Sequence, residues 1–191
     1  MATIQLFGGH PALDFTNTVD SRGQRFGPDV LQRFEDLRTW ALRRGVIDAA
    51  EAERLGSMTD QRGRRALIRA KALREALYRV FSTRRAGTAD LALLRREFEA
   101  AQRARTIEEA RERYIWRWKA DDADTITHRI ALEAVDLLVA PSLGRVHVCP
   151  GENCGWLFLD TSRSGRRLWC SEETCGRRDR IRRWRVKHRD G

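Results

Sequence analysis

Residues 149–175 read CPGENCGWLFLDTSRSGRRLWCSEETC and contain all four cysteines of the 191-residue chain. The cysteines follow the spacing C-x4-C-x15-C-x4-C. Each close pair can supply two thiolates from one tight turn, and the gap between the pairs is long enough for the chain to fold back. Four thiolates leave no open position for water or substrate, so a zinc ion bound here is expected to be structural rather than catalytic. The predicted zinc ligands are Cys149, Cys154, Cys170 and Cys175.

Disulfide bonds are the other chemistry that these cysteines allow, and they would require an oxidising compartment. The N-terminus has neither the basic nor the apolar region of a secretion signal. No apolar run approaches the roughly 20 residues of a membrane helix. We therefore expect a cytoplasmic protein without a membrane segment, in which zinc is favoured over disulfides. His147 is a further candidate ligand, but four thiolates complete the site, so a surface or core position is expected for it.

The residues between and after the cysteine pairs predict a hairpin followed by a helix. Residues 155–160 alternate in polarity as a strand does, residues 161–165 have the composition of a turn, and residues 166–169 are predicted to return as a second strand. Ser171 is a suitable helix cap, which places Cys175 in the first helical turn. This order of elements is typical of a treble-clef-like finger. Its expected core consists of Trp156, Phe158, Leu168 and Trp169.

The residues after Cys175 predict a basic helix. At about 100° per residue, Ile181 and Trp184 share one stripe, which is expected to face the protein interior. Basic residues lie on both flanks of that stripe, and a partly acidic ridge lies opposite it. This pattern suits contacts to phosphates better than reading of base edges. The stripe consists of Arg177, Ile181, Trp184 and His188, and the ridge consists of Asp179, Val186 and Asp190.

The charge of the chain favours a polyanionic partner. The 37 Lys and Arg exceed the 27 Asp and Glu by 10, and residues 149–191 alone hold 11 of these cations against 6 of the acids. Duplex DNA is the predicted partner, because a zinc knuckle beside a basic helix is typical of nucleic-acid-binding proteins. The alternative is a protein-interaction module whose basic helix meets an acidic protein surface. The predicted DNA-contacting residues are Arg163, Arg166, Arg167, Arg178, Arg180, Arg182, Arg183, Arg185, Lys187 and Arg189.

The rest of the chain predicts a multi-helix domain with a small β-hairpin. Apolar residues recur at helical spacing in five segments. Alternation over residues 114–118 predicts a strand, with residues 106–109 as its partner. The predicted fold is therefore mainly α over residues 1–143, with residues 1–27 irregular, and a four-cysteine zinc finger over residues 144–191. The predicted helices cover about residues 28–45, 48–55, 64–85, 88–101 and 125–140, and the tryptophans expected in the core are Trp40, Trp116 and Trp118.

Three polar residues near the N-terminus are candidates for a ligand site. His10, Asp14 and Asn17 lie among small and apolar residues, where short polar side chains often satisfy buried backbone groups. They could instead reach into a pocket between helices and bind a small molecule. The chain has no phosphate-binding loop, nucleophile elbow or zinc-hydrolase motif. No enzymatic activity is therefore predicted.

Two motifs resemble a known bacterial family. The segments CGWLF (154–158), RLWC (167–170) and CGRR (175–178) resemble the CGNR zinc finger, and GGHPALDFTNT (8–18) resembles the start of the ABATE domain that precedes that finger. The resemblance covers the whole chain. It implies a stress-induced transcription regulator. If the finger binds DNA, we expect the N-terminal domain to sense a small-molecule effector or to form a homodimer. One residue departs from the family pattern, since Arg177 stands where the family has asparagine.

Overall fold

A computed structural model describes residues 4–23, 27–118 and 122–188. Contacts divide the chain into two compact units. The finger unit joins residues 1–30 to residues 141–191, and the helical unit comprises residues 31–140. The predicted domain boundary between residues 143 and 144 stays a prediction. Among the described residues, no helix is both long and apolar enough to cross a bilayer.

Helices dominate the described residues, with two small antiparallel hairpins. This architecture confirms the predicted fold class. A 3₁₀ turn (Pro141–Arg145) precedes β3, and a π-helical turn (Glu172–Gly176) leads into α7. In chain order the elements are α1 (Pro11–Thr16), α2 (Phe34–Arg44), α3 (Ala49–Gly56), α4 (Asp60–Thr83), α5 (Thr88–Ala104), β1 (Arg105–Ala110), β2 (Arg113–Trp118), α6 (Thr125–Val139), β3 (Val146–Val148), β4 (Leu157–Leu159) and α7 (Arg177–Lys187).

The helical unit packs α4, α5 and α6 against one another. Leu73 and Leu77 of α4 and Ile126 and Ile130 of α6 are fully buried. Each pair is spaced four residues apart, so both side chains lie on one face of their helix. The predicted helices at these positions are therefore present. α4 begins at Asp60, four residues before the predicted start.

The helix predicted to open at Pro28 begins only at Phe34. Residues 28–30 are extended instead, because Pro28 accepts a hydrogen bond from Asp20 N–H and Val30 N–H donates to the Thr18 carbonyl. The carboxylate of Asp36 then accepts the backbone N–H groups just before α2 and satisfies donors that a helix start leaves open. The end of α2 was predicted correctly, since Gly45 adopts φ +75° in the left-handed region.

The predicted hairpin is confirmed by the pairing of β1 with β2. The prediction that its tryptophans are core residues is wrong for Trp116, which is 53% exposed, whereas Trp40 in α2 is fully buried. A two-stranded ribbon has two faces and no second layer of its own to cover both. Period-2 alternation therefore identified the strand but could not show which face is covered.

Two local predictions for the finger unit are wrong. Residues 1–27 were expected to be irregular, but α1 forms there, with Pro11 in its first turn and the His10 ring accepting the Ala12 N–H. Residues 166–169 were expected to form a strand, but β4 pairs with β3 instead. Backbone and side-chain groups of Arg167 are engaged elsewhere: its N–H donates to Asp160 and its guanidinium donates to the Phe7 and Trp169 carbonyls.

Candidate zinc centre and nucleic-acid interface

The four cysteines converge on one point, with all four Sγ atoms within 4.8 Å of one another. The Cys154 and Cys170 sulfurs are 3.6 Å apart, and those of Cys170 and Cys175 are 3.7 Å apart. A tetrahedron with zinc–sulfur bonds of about 2.3 Å has sulfurs about 3.8 Å apart. The sulfur positions therefore fit a zinc ion, and this confirms the predicted cofactor.

Backbone geometry around the first cysteine pair aims both sulfurs inward. Cys149 follows β3, and its N–H donates to the Trp156 carbonyl at 2.7 Å, which closes the knuckle. Gly155 adopts φ +66°, a conformation that favours glycine. A Cβ on Gly151 would lie 2.9 Å from the Cys175 sulfur. The turn therefore requires small residues where the backbone approaches the metal.

The second cysteine pair is positioned by a capped helical turn. The Ser171 hydroxyl accepts the Thr174 N–H, as predicted for a helix cap. Cys175 lies in the π-helical turn that α7 continues. The start of α7 thus directly follows the turn that carries Cys175, so a zinc ion bound there holds the base of this helix.

The electrostatics of the four sulfurs favour a bound cation. The thiol of Cys154 hydrogen bonds to Cys149 and lowers the pKa of Cys149, while the same contact raises the pKa of Cys154. The backbone N–H of Cys170 also donates to the Cys149 sulfur at 3.4 Å. Four sulfurs this close cannot all be thiolates without a compensating charge, and zinc supplies that charge.

A small apolar core surrounds the zinc centre. Trp156 and Phe158 are buried with the cysteines, and Phe7 and Trp169 pack against them. This agrees with the core expected from the sequence except for Leu168, which is 67% exposed. Leu168 does not lie on a paired strand, so alternation does not direct it inward. Phe7 was missed by sequence reasoning because it lies about 150 residues away from the finger in the chain.

The N-terminal segment is built into the finger unit by hydrogen bonds. Asn17 binds both backbone groups of Leu157: its amide donates to the Leu157 carbonyl at 2.8 Å and its oxygen accepts the Leu157 N–H at 2.9 Å. The Trp156 indole donates to the Val19 carbonyl at 2.8 Å. Arg22 N–H donates to the carbonyl of Cys154, itself a zinc ligand, at 2.7 Å. Residues 8–23 thus support β4 and the knuckle that carries Cys149 and Cys154.

The three candidate ligand-binding residues all have structural contacts. Asp14 is buried and accepts the Gly8 N–H at 2.7 Å. His10 caps α1, and both polar atoms of Asn17 contact Leu157. These contacts match the first of the two interpretations drawn from the sequence, in which the side chains satisfy buried backbone. Ligand binding by these residues stays a prediction.

Replacing Asn17 with alanine is expected to destabilise the finger unit by roughly 2–4 kcal/mol, because two buried backbone groups of Leu157 lose their partner. The measurement is urea unfolding of the zinc-loaded chain. Ser21→Ala is the control, since it removes only a surface hydrogen bond to the Asn153 carbonyl and should cost less than about 1 kcal/mol. Equal effects of the two substitutions would contradict the role assigned to Asn17.

The cations of α7 project from an exposed helix. Every residue of α7 except Asp179 is exposed. Asp179 pairs with Arg182 at 2.7 Å and with Arg183 at 2.5 Å, and the hydrogen bond from Arg182 lowers the pKa of Asp179. Arg180 forms an ion pair with Glu172. The exposed cations of α7 are Arg177, Arg178, Arg180, Arg182, Arg183, Arg185 and Lys187.

The remaining predicted DNA-contacting residues lie in the turn before the second cysteine pair or beyond α7. Arg163 and Arg166 are exposed in that turn. Arg167 is half-buried, its guanidinium lies over the Phe158 ring at 4.8 Å, and it donates to backbone carbonyls, so it supports the finger. Arg189 lies outside the described residues. Nucleic-acid binding by any of these arginines stays a prediction.

The predicted orientation of α7 is wrong. The apolar stripe was expected to face inward, but Ile181 is 40% exposed and Trp184 is 61% exposed, with the Trp184 ring stacked on His188 at 4.6 Å. Asp179, which was placed on the outermost ridge, is the one half-buried residue of the helix. An amphipathic pattern predicts an apolar face, but it does not show that another element covers it.

Comparison with protein families gives two matches, which follow one another along the chain. The model of the ABATE family, described as "Putative stress-induced transcription regulator", matches residues 9–141. The model of the CGNR zinc finger matches residues 145–188 and includes all four cysteines. Neither is a family of enzymes. No curated protein sequence gives a significant match.

Proposed function

The chain belongs to the ABATE family and ends in a CGNR zinc finger, and from that premise we propose that it is a transcription regulator that binds duplex DNA through α7. In this proposal the zinc ion is structural and holds the start of the helix in place. The protein has no catalytic role, and it acts in the cytoplasm, where bacterial DNA is found. Because the described residues leave α7 exposed, the helix is accessible to a partner.

The observation that carries the proposal is the charge of α7. Seven of the twelve residues 177–188 are Arg or Lys, and the single acid among them, Asp179, is neutralised by Arg182 and Arg183. Exposed cations at this density attract phosphates and release the counterions of DNA on binding. The zinc centre fixes the base of this helix, so the cations are presented by an ordered element.

The exposed stripe suggests which side of α7 faces the DNA. Arginines lie on both flanks of the stripe, with Arg178 and Arg182 on one side and Arg180 and Arg183 on the other. A helix in the major groove has a phosphate backbone on each side and base edges in front. We place the stripe toward the base edges and the flanks toward the two backbones. Ile181 and Trp184 then supply apolar contacts, of the kind that thymine methyl groups accept.

Replacing Trp184 with alanine is therefore expected to weaken DNA binding by about tenfold, or about 1.4 kcal/mol. Because Trp184 carries no charge, the dependence of affinity on salt should stay unchanged. Val186→Ala is the matched control: Val186 is similarly exposed but lies on the opposite side of α7, and its loss should change affinity less than about twofold. Anisotropy of a labelled duplex measures both. A larger effect at Val186 would reverse the proposed orientation.

Selection of bound duplexes from a random DNA pool tests the proposed function. Enrichment of a motif would support base reading by the stripe, and uniform retention would support phosphate contacts alone. No retention by the zinc-loaded protein would contradict DNA binding. It would favour the second candidate, a zinc-stabilised protein-interaction module, for which the exposed Ile181, Trp184 and Val186 are the supporting observation.

For the small-molecule effector, we propose a site in the helical unit. A cleft of about 510 Å³ lies between α2, α3 and α4. Phe34, Leu55 and Leu67 provide apolar walls, and Arg38 and Arg64 provide charge. Its size and mixed lining are typical of sites for small organic ligands. Gly63 lets Phe34 approach α4, since a Cβ there would lie 3.1 Å from the Phe34 Cβ.

A further inference from the structure

The β1–β2 hairpin of the helical unit carries an exposed apolar face. In its register Ile107 lies opposite Trp116, and Glu109 lies opposite Tyr114. Alternate residues of a strand share a face, so these four side chains lie together with Arg105 and its partner Trp118. Trp118 is half-buried, with the Arg129 guanidinium 4.9 Å from its ring, so this end of the face is partly covered. Ile107 is 60% exposed, Trp116 53% and Tyr114 74%. Clustered large apolar side chains at this exposure are typical of protein interfaces.

The opposite face of the hairpin is less apolar and carries an ion pair. Arg117 and Glu108 lie on it and form an ion pair at 2.5 Å. Ile115, the large apolar residue of that face, is half-buried. Two charges of this second face thus satisfy each other, and its large apolar residue is partly covered. The Ile107–Trp116 face is therefore the one that offers an interface.

The arrangement of charge on the Ile107–Trp116 face is complementary to itself. Arg105 and Glu109 lie on β1 two residues to either side of Ile107, which places each about 7 Å from it along the strand. A twofold axis in the plane of the interface, parallel to the line from Ile107 to Trp116, would bring Arg105 of one copy opposite Glu109 of the second copy, and the reverse. Contacts of this reciprocal kind define an isologous dimer. Arg105 is already held on the face, with its guanidinium 3.8 Å from the centre of the Trp116 ring.

We propose that this face is the interface of a homodimer, in which two hairpins pack face to face about a twofold axis. A second copy fits better than nucleic acid, because residues 105–118 hold four arginines against three glutamates, which leaves little net charge for phosphates. Tryptophan, tyrosine and arginine are also the residues enriched at protein interfaces. The proposal does not depend on DNA binding by α7.

The test is a charge exchange in the full zinc-loaded chain, with mass followed by sedimentation velocity. We expect the unchanged chain to sediment as a dimer. Arg105→Glu and Glu109→Arg should each weaken association by about tenfold or more, because each places like charges opposite one another. A mixture of the two variants should recover the dimer, since all four charges that meet are then opposite in sign. Arg113→Glu, on the other face, is the control and should not change association.

Two results would overturn the proposal. The first is a monomer of the unchanged chain at concentrations up to about 100 µM, the range of weak association. The second is a dimer that neither single variant weakens, which would place the interface elsewhere. Recovery on mixing also separates the proposal from misfolding, because two misfolded chains would not restore a dimer. Failure to recover, with both variants folded by circular dichroism, would contradict the twofold arrangement.

Discussion

Removing the zinc ion is expected to unfold the finger unit, including the N-terminal segment at residues 4–23. Structural zinc contributes an apparent binding free energy of about 10–16 kcal/mol in small fingers, which exceeds what the small core around Trp156 and Phe158 can supply. Arg22 and Asn17 are bonded to the knuckle and to β4, so their segment should lose its order with the metal. Cys170→Ser should have the same effect as chelation.

Hydrogen exchange of the Leu157 and Arg22 amides measures this loss, with zinc content determined in parallel. The unchanged chain should hold one zinc ion, and both amides should lose protection in chelator. His147→Ser is the matched control, because His147 is exposed two residues before Cys149 and is the alternative ligand. It should keep the zinc and the protection. Full protection in chelator with no bound metal would contradict a zinc-dependent fold.

Replacing Arg178, Arg182 and Arg185 together with alanine is expected to weaken duplex binding by about 100-fold or more at moderate salt. These three residues lie on one flank of α7, and each is assigned to a phosphate. Loss of three such contacts should also reduce the slope of log K against log salt by about 2.7. This change in slope distinguishes lost phosphate contacts from a general loss of folding.

The matched control removes the same charge from the helical unit. Arg54, Arg65 and Arg95 are exposed there, and their triple alanine variant lowers the net charge by the same amount. Its affinity should stay within about threefold of that of the unchanged chain if binding is local to α7. Equal losses from the two triple variants would show that net charge alone attracts DNA. This result would contradict specific binding of DNA by α7.

The zinc ligands could be predicted because the spacing of cysteines reports local chemistry directly. The pairing partner of β4 could not, since the sequence around Arg167 resembles a strand while its side chain binds carbonyls at Phe7 and Trp169. The contact between Asn17 and Leu157 joins residues 140 positions apart. No periodicity or local spacing reports such a contact.

In the helical unit, too, local features could be predicted from the sequence, whereas burial by other elements could not. The helix predicted over residues 48–55 is present as α3, and Asp48 caps it by accepting the Glu51 N–H at 2.8 Å. The exposure of Trp116 and Trp184 was not predicted, because apolar character reports a preference for burial and not the presence of a covering element. Both tryptophans lie on surfaces for which we propose partners.

The residues that resemble the ABATE domain have a structural role in the finger unit. Residues 8–18, which carry that resemblance, pack on the zinc finger and not within the helical unit. Gly8 accepts the Leu159 N–H at 2.8 Å, and Asn17 binds Leu157, so both ends of the motif contact β4. A finger expressed from residue 145 onward would lack these contacts. Experiments on DNA binding therefore require the full chain.

The most direct test of the central claim, that α7 held by zinc binds duplex DNA, is the salt dependence of binding by the zinc-loaded full chain. Anisotropy of a labelled duplex should give a log K that falls linearly with log salt, with a slope of about −4.5 to −6.3 for five to seven phosphate contacts. Binding should disappear in chelator. Absence of binding at low salt, or binding that persists unchanged without zinc, would contradict the claim.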